Sequence, residues 1–159
     1  MLDLLNVEAK ADTAASRPAS LGLRITASSA IEFTSPPWLP AAERRINALL
    51  ALPANWDGEG APSINFDCAM GAFGFLFSNS MHETPAPQLV PTSAGGVQVE
   101  WHMGGTDFEI RFDPQEQATY FYSGADGREI EGEVSEQLST VGSLLRALPT
   151  RNERIQPSR

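Results

Sequence analysis

Gly95-Gly96-Val97-Gln98-Val99-Glu100-Trp101-His102-Met103-Gly104-Gly105-Thr106-Asp107-Phe108-Glu109-Ile110-Arg111-Phe112 is the stretch that decides the fold. Val97, Val99, Trp101 and Met103 alternate with polar residues before Gly104-Gly105, and Phe108, Ile110 and Phe112 do so after it. A period of two marks a half-buried strand. A Gly-Gly pair between two such runs is a favoured two-residue hairpin loop. That loop sets Met103 opposite Thr106, Trp101 opposite Phe108, Val99 opposite Ile110 and Val97 opposite Phe112. Every large apolar side chain then shares one face, and a slip of one residue would break the match.

Downstream, a third strand is predicted over 118–122, with Tyr120 and Tyr122 on the apolar face. A turn at 123–127 leads to a fourth strand over 128–133, with Ile130 opposite Tyr120. The outer face then carries Glu100, His102, Asp107, Glu109, Glu129 and Glu131, with Phe121 among them. Glu100 lies across from Glu109. Like charges so placed destabilise a sheet by up to about 1 kcal/mol, and Arg111 on the diagonal is positioned to relieve this.

Upstream the period is helical. A first helix is predicted from 40 or 41 to 52, with proline in its first turn and Pro53 at its end. A second runs over 64–77 behind a Ser63 N-cap. Phe66, Met70, Phe73 and Phe77 line one of its sides, and Ile64, Cys68, Ala72 and Phe75 another. A helix apolar all round reads as central to a core. The segment 85–91 reads as a proline-rich connector. A closing helix is predicted over 135–148, capped by Ser135, with Leu138, Val141, Leu145 and Leu148 as its buried stripe. The fold class is α+β: two helices, a four-stranded antiparallel meander with helices on one face, and a C-terminal closing helix. Residues 1–39 form an N-terminal arm in which Leu21, Leu23 and Ile25 allow one edge strand. Residues 40–148 form the single α+β domain, and 149–159 a frayed basic tail.

The chain has 159 residues, 42% hydrophobic and 19% charged, which suffices for one core and argues against disorder throughout. Formal net charge is -9, a balance that argues against nucleic acid and anionic membrane as partners. Between positions 95 and 136 there are ten acids and two bases, so nearly all the net charge lies on the sheet. Asp3, Glu8 and Asp12 interrupt the apolar residues of the N-terminus, so no signal peptide forms and a cytoplasmic protein is the default expectation. The lone cysteine, Cys68, excludes an internal disulfide and a cysteine-built zinc site.

The most distinctive short segment is Asn55-Trp56-Asp57-Gly58-Glu59-Gly60-Ala61. Gly58 and Gly60 permit positive φ, Asp57 can accept loop N–H groups, and Trp56 can anchor the loop between helices and sheet. A ligand or cation at Asp57 and Glu59 is the alternative, although the segment lacks the ligand spacing of an EF-hand and the lysine of a phosphate loop. This loop, followed by Pro91-Thr92, Gly95-Gly96-Val97-Gln98-Val99-Glu100-Trp101 and Phe108-Glu109-Ile110, resembles a widespread group of small, uncharacterised bacterial proteins. That group carries a W-D-G-x-G-A loop and a later G-G-x-x-x-E-W strand. The resemblance covers roughly residues 50–112. It implies a bacterial α+β domain, and no reaction, cofactor or catalytic residue comes with it.

No nucleophile elbow, H-E-x-x-H, phosphate loop or dinucleotide fingerprint is present. His82 lies beside Glu83, and His102 faces Asp107; such a pair orients a general base, but no nucleophile accompanies it. The sequence thus assigns no catalytic residue, no metal-ligand set and no cofactor, and it points away from an enzyme. Its acidic sheet face is a solvated surface, a docking face for a basic protein, or a divalent-cation site. The expected function is that of a non-enzymatic bacterial interaction module, such as an antitoxin, an immunity protein or a dedicated chaperone. The partner is a protein, basic in the docking version. The alternative is a small-molecule or divalent-cation-binding domain, or a weak enzyme, around Asp57, Glu59, His102 and Asp107. An exposed sheet edge leaves a second copy of the chain as a further partner.

Overall fold

The hairpin forms with the register that the alternation dictates. In the computed structural model, which describes residues 35–149, the elements in order are helices α1 (Leu39–Leu50) and α2 (Phe66–Asn79), then β1 (Gln88–Pro91), β2 (Val97–Met103), β3 (Thr106–Phe112), β4 (Thr119–Ser123), β5 (Glu129–Glu133) and finally α3 (Leu138–Ala147). The strands form one antiparallel sheet in the order β1-β2-β3-β4-β5. Met103 pairs with Thr106, Trp101 with Phe108, Val99 with Ile110 and Val97 with Phe112. Gly104 and Gly105 have φ of 61° and 78°. That is the left-handed pair a twisted two-residue hairpin turn requires.

The sheet buries one face against all three helices. Val97, Val99, Trp101, Phe108, Ile110 and Tyr120 meet Leu49 of α1, Ala69, Ala72 and Leu76 of α2, and Val141 and Leu145 of α3 in one continuous core. Trp101 stacks on Phe108 with ring centroids 5.5 Å apart. Its indole N–H donates to the Pro85 carbonyl at 2.9 Å. The expected edge strand at Leu21–Ile25 and most of the expected tail lie outside the described residues.

The structure corrects the sequence reading at five points. The sheet has five strands, because the proline-rich connector contributes β1. Pro91 ends that strand, where a missing N–H costs the ladder little, and Leu89 is buried beneath it. Arg45 of α1 donates Nε–H to the Leu89 carbonyl at 2.7 Å. Second, Ile130 pairs with Tyr122, and Gly132 with Tyr120. The Tyr120 ring edge lies 3.3 Å from where a Cβ on Gly132 would stand, and Tyr120 Oη donates to Gln137 Oε1 at 2.5 Å.

Third, α2 begins at Phe66 under an Asn65 cap, not under Ser63. The Asn65 side-chain oxygen accepts from the N–H groups of Asp67 and Cys68 at 2.9 and 3.1 Å. Fourth, α3 begins at Leu138 without a side-chain cap, and Leu138 is exposed rather than buried with Val141, Leu145 and Leu148. Fifth, α2 is not enclosed. Cys68, Ala69, Ala72, Phe75 and Leu76 are buried, whereas Phe66, Met70 and Phe77 are exposed. Among the described residues no helix is long and apolar enough to cross a membrane.

Candidate functional site

Strand alternation builds the outer face residue by residue. Glu100 and His102 are two apart on β2, and Asp107 and Glu109 two apart on β3, so all four project from the same side. His102 pairs with Asp107 and Glu100 with Glu109. Glu109 pairs with Phe121, which pairs with Glu131, and Ser123 pairs with Glu129. The seven residues expected on the acidic face are therefore gathered on it. Phe121 is half-buried in the middle of the row, and Glu129 and Glu131 are exposed.

At one end of the row the imidazole is held on both sides. His102 Nδ1–H donates to Asp107 Oδ1 at 2.7 Å, which fixes the tautomer, and Nε2 lies 3.5 Å from Glu100 Oε2. The hydrogen bond to Asp107 holds the His102 pKa above its ordinary 6.5, partial desolvation opposes this, and Glu100 adds to the rise. Ligating atoms of Glu100, His102 and Glu109 all lie within 4.8 Å of one another. Two carboxylates and one imidazole form a donor set suited to a divalent transition metal, with Asp107 orienting the imidazole behind it.

Arg111 does not neutralise the Glu100–Glu109 pair directly. It donates Nε–H and Nη2–H to Gln98 Oε1 at 3.3 and 3.1 Å, and its Nε stands 3.9 Å from Asp113 Oδ2. Gln98 Nε2 in turn donates to Glu100 Oε2 at 3.0 Å, so the relief is relayed through an amide. Beyond Glu109 the face dips into a groove of about 600 Å³, whose lining includes Glu109, Arg111, Phe121, Glu131 and Glu133. Glu133 was absent from the predicted face. It shares the outward parity of Glu129 and Glu131, so alternation already carries it.

The Trp56 loop stands apart from this face. Asn55 N–H donates to the Ala61 carbonyl at 2.6 Å, and Gly60 N–H to Asn55 Oδ1 at 2.7 Å. Asp57 Oδ1 accepts from the N–H groups of Glu59 and Ala61 at 2.9 and 3.0 Å. Those bonds, Glu59 first, hold the Asp57 carboxyl below its usual range. Gly58 and Gly60 take φ of 78° and 96°. The Asp57 carboxylate is thus committed to shaping the loop, while the Glu59 side chain is exposed. Trp56 is half-buried and is not among the side chains of the core.

The loop continues into Pro62 and Ser63, which pack beside Gly95 at the start of β2. His102 is near the other end of that strand, seven residues on from Gly95 and about 24 Å away at roughly 3.4 Å per residue. Asp57 and Glu59 therefore do not join His102 and Asp107 in one pocket; the partners of that pair are Glu100 and Glu109. Comparison with family models, with curated proteins and with solved structures gives no match.

Proposed function

We propose that this protein is an interaction module that holds a basic segment of a protein partner across the outer face of its sheet. The observation that carries this reading is the groove in which Glu109, Glu131 and Glu133, three acids against the one base Arg111, surround the half-buried Phe121. An arginine or lysine laid in it meets carboxylates at its charged end and an aromatic face along its stem. The excess of carboxylates on this face, with Arg111 as the one base lining the groove, also steers a basic partner toward it. Antitoxin, immunity protein and dedicated chaperone are the specific forms of this reading, in keeping with the small size, the acidity and the open sheet face of the chain.

The test separates position from total charge. A fluorescein-labelled peptide of alternating arginine and lysine is titrated into the full chain, with binding read by anisotropy at several salt concentrations. Glu109→Gln/Glu131→Gln/Glu133→Gln is expected to weaken binding at least tenfold, since each carboxylate facing a cation contributes up to about 1 kcal/mol. Glu43→Gln/Glu59→Gln/Glu83→Gln removes the same charge elsewhere and should leave affinity within about twofold. Equal losses in the two variants would reduce the effect to net charge and remove the docking face.

A second reading is a divalent-metal site, supported by the convergence of Glu100, His102 and Glu109. Asp107 would orient the His102 ring there. A metal needs the neutral imidazole, and the His102 pKa is raised. Zinc affinity is therefore expected to strengthen as pH climbs through and above 6.5, and to be lost in His102→Ala. Isothermal titration with zinc chloride checks this. Binding that is insensitive to pH, or that survives His102→Ala, would exclude the site.

A further inference from the structure

We infer that a second copy of this chain covers the exposed side of α2, through an antiparallel α2–α2 contact about a two-fold axis. The starting observation is a helix with two apolar sides. One side enters the core through Cys68, Ala69, Ala72, Phe75 and Leu76. The other exposes Phe66 to 63%, Met70 to 43% and Phe77 to 66%, and Met81 just beyond the helix to 51%. Asp67 is the single charged residue of the helix.

The spacing selects a helix as the occupant. Phe66, Met70, Phe73 and Phe77 follow one another by four, three and four residues, which is the seam of a coiled coil, with Phe73 half-buried against the core at its edge. The seam is also its own mirror in order. Turning a second copy end for end sets Phe66 opposite the partner's Phe77, and Met70 opposite the partner's Phe73. A surface that complements itself under such a turn is what an isologous two-fold contact requires. Gly74 flanks the seam with open space where a Cβ would stand, so the second helix can approach closely there.

The area agrees with a dimer. Phe66, Met70, Phe77 and Met81 together present on the order of 450 Å² of apolar surface, taking about 200 Å² for each large side chain. A two-fold axis doubles this to about 900 Å², the apolar centre of an interface of roughly 1,200–2,000 Å². Charge opposes the contact little, because α2 carries a single acid, Asp67, while Glu100, Asp107, Glu109, Glu129 and Glu131 lie on the opposite face of the sheet. The resulting dimer is layered sheet, helices, helices, sheet, with the two acidic faces turned outward in opposite directions. It stands whether or not those faces bind a basic partner.

Sedimentation velocity on the full chain, up to about 200 μM to reach a micromolar equilibrium, tests this. The wild type is expected to reach twice its 17.2 kDa mass. Phe66→Asp/Phe77→Asp should sediment as a monomer with its far-UV circular dichroism unchanged, since both positions are exposed in the single chain, and should lose the concentration-dependent rise in melting temperature that the dimer gives the wild type. Met70→Lys, a milder change, should weaken the dimer at least tenfold. The antiparallel register adds a sharper expectation: Phe66→Asp/Phe77→Lys pairs opposite charges across the axis, and should dimerise better than the double aspartate. A wild type that stays monomeric at the top concentration overturns the inference, as it must if another segment of the same chain covers the face. A dimer that survives the double aspartate overturns it equally.

Discussion

Trp101→Ala is expected to cost about 3–5 kcal/mol, a large part of the roughly 5–15 kcal/mol that a domain of this kind has. Trp101 is 1% exposed and sits at the centre of β2. Three losses combine in the alanine variant. The ring volume is left as a cavity, since the surrounding core cannot fully close on it. The stack on Phe108 is broken. The Pro85 carbonyl loses its indole donor inside the protein, and an orphaned buried acceptor costs about 1–3 kcal/mol. Trp101→Phe keeps most of the volume and should cost less than half as much. Urea unfolding followed by circular dichroism reads both. A Trp101→Ala loss below about 1 kcal/mol would mean that Trp101 is not a core anchor.

Gly96→Ala is the second large effect, of about 3 kcal/mol or more, because the obstacle is backbone and not a side chain that can turn away. A Cβ on Gly96 would overlap the Phe112 carbonyl oxygen and Asp113 Oδ1, and would stand 2.9 Å from Asp113 Cα. To make room, the start of β2 must leave the end of β3. That movement pulls on the turn between β1 and β2, where Gly96 N–H donates to Thr92 Oγ1 at 2.9 Å and Thr92 N–H to the Gly96 carbonyl at 3.0 Å. It also pulls on the Thr92–Asp113 side-chain hydrogen bond. A fall of about 10 °C in melting temperature is expected. Gly74→Ala, in a helix and with nothing near its Cβ, should instead hold or raise stability by up to about 1 kcal/mol. A Gly96→Ala protein that melts with the wild type would contradict this close approach.

These two substitutions also interpret the G-G-x-x-x-E-W segment. Gly96 and Trp101 serve the fold, the one by letting two strands meet and the other by filling the core beneath them. Glu100, between them, points to the other side of the sheet. Structural and candidate functional residues thus alternate along a single strand.

The hairpin was legible because both of its signals are local: alternation over seven residues on each side, and a glycine pair between them. The pairs His102–Asp107 and Glu100–Glu109 follow from that register alone. β1 was hidden because four residues framed by prolines carry too little alternation to outweigh the turn signal. The β4–β5 register depended on Tyr120 needing the space over Gly132, a contact between strands that neither strand announces. Asn65 outcompeted Ser63 as a cap because its side chain reaches two N–H groups of the first turn. The exposed side of α2 was unreadable for a different reason. A stripe of Phe66, Met70, Phe73 and Phe77 has the same pattern whether a core or a second molecule receives it. The groove around Phe121 depends on four strands at once, so only its parity was available beforehand.

The most direct measurement of the central claim is an amide-resolved NMR titration of the full chain with the arginine–lysine peptide. The largest shifts are expected at Glu109, Phe121, Glu131 and Glu133, reversing as salt is raised. Shifts spread evenly over the acidic residues, or centred on the helical side of the molecule, would contradict a docking site on the outer sheet face.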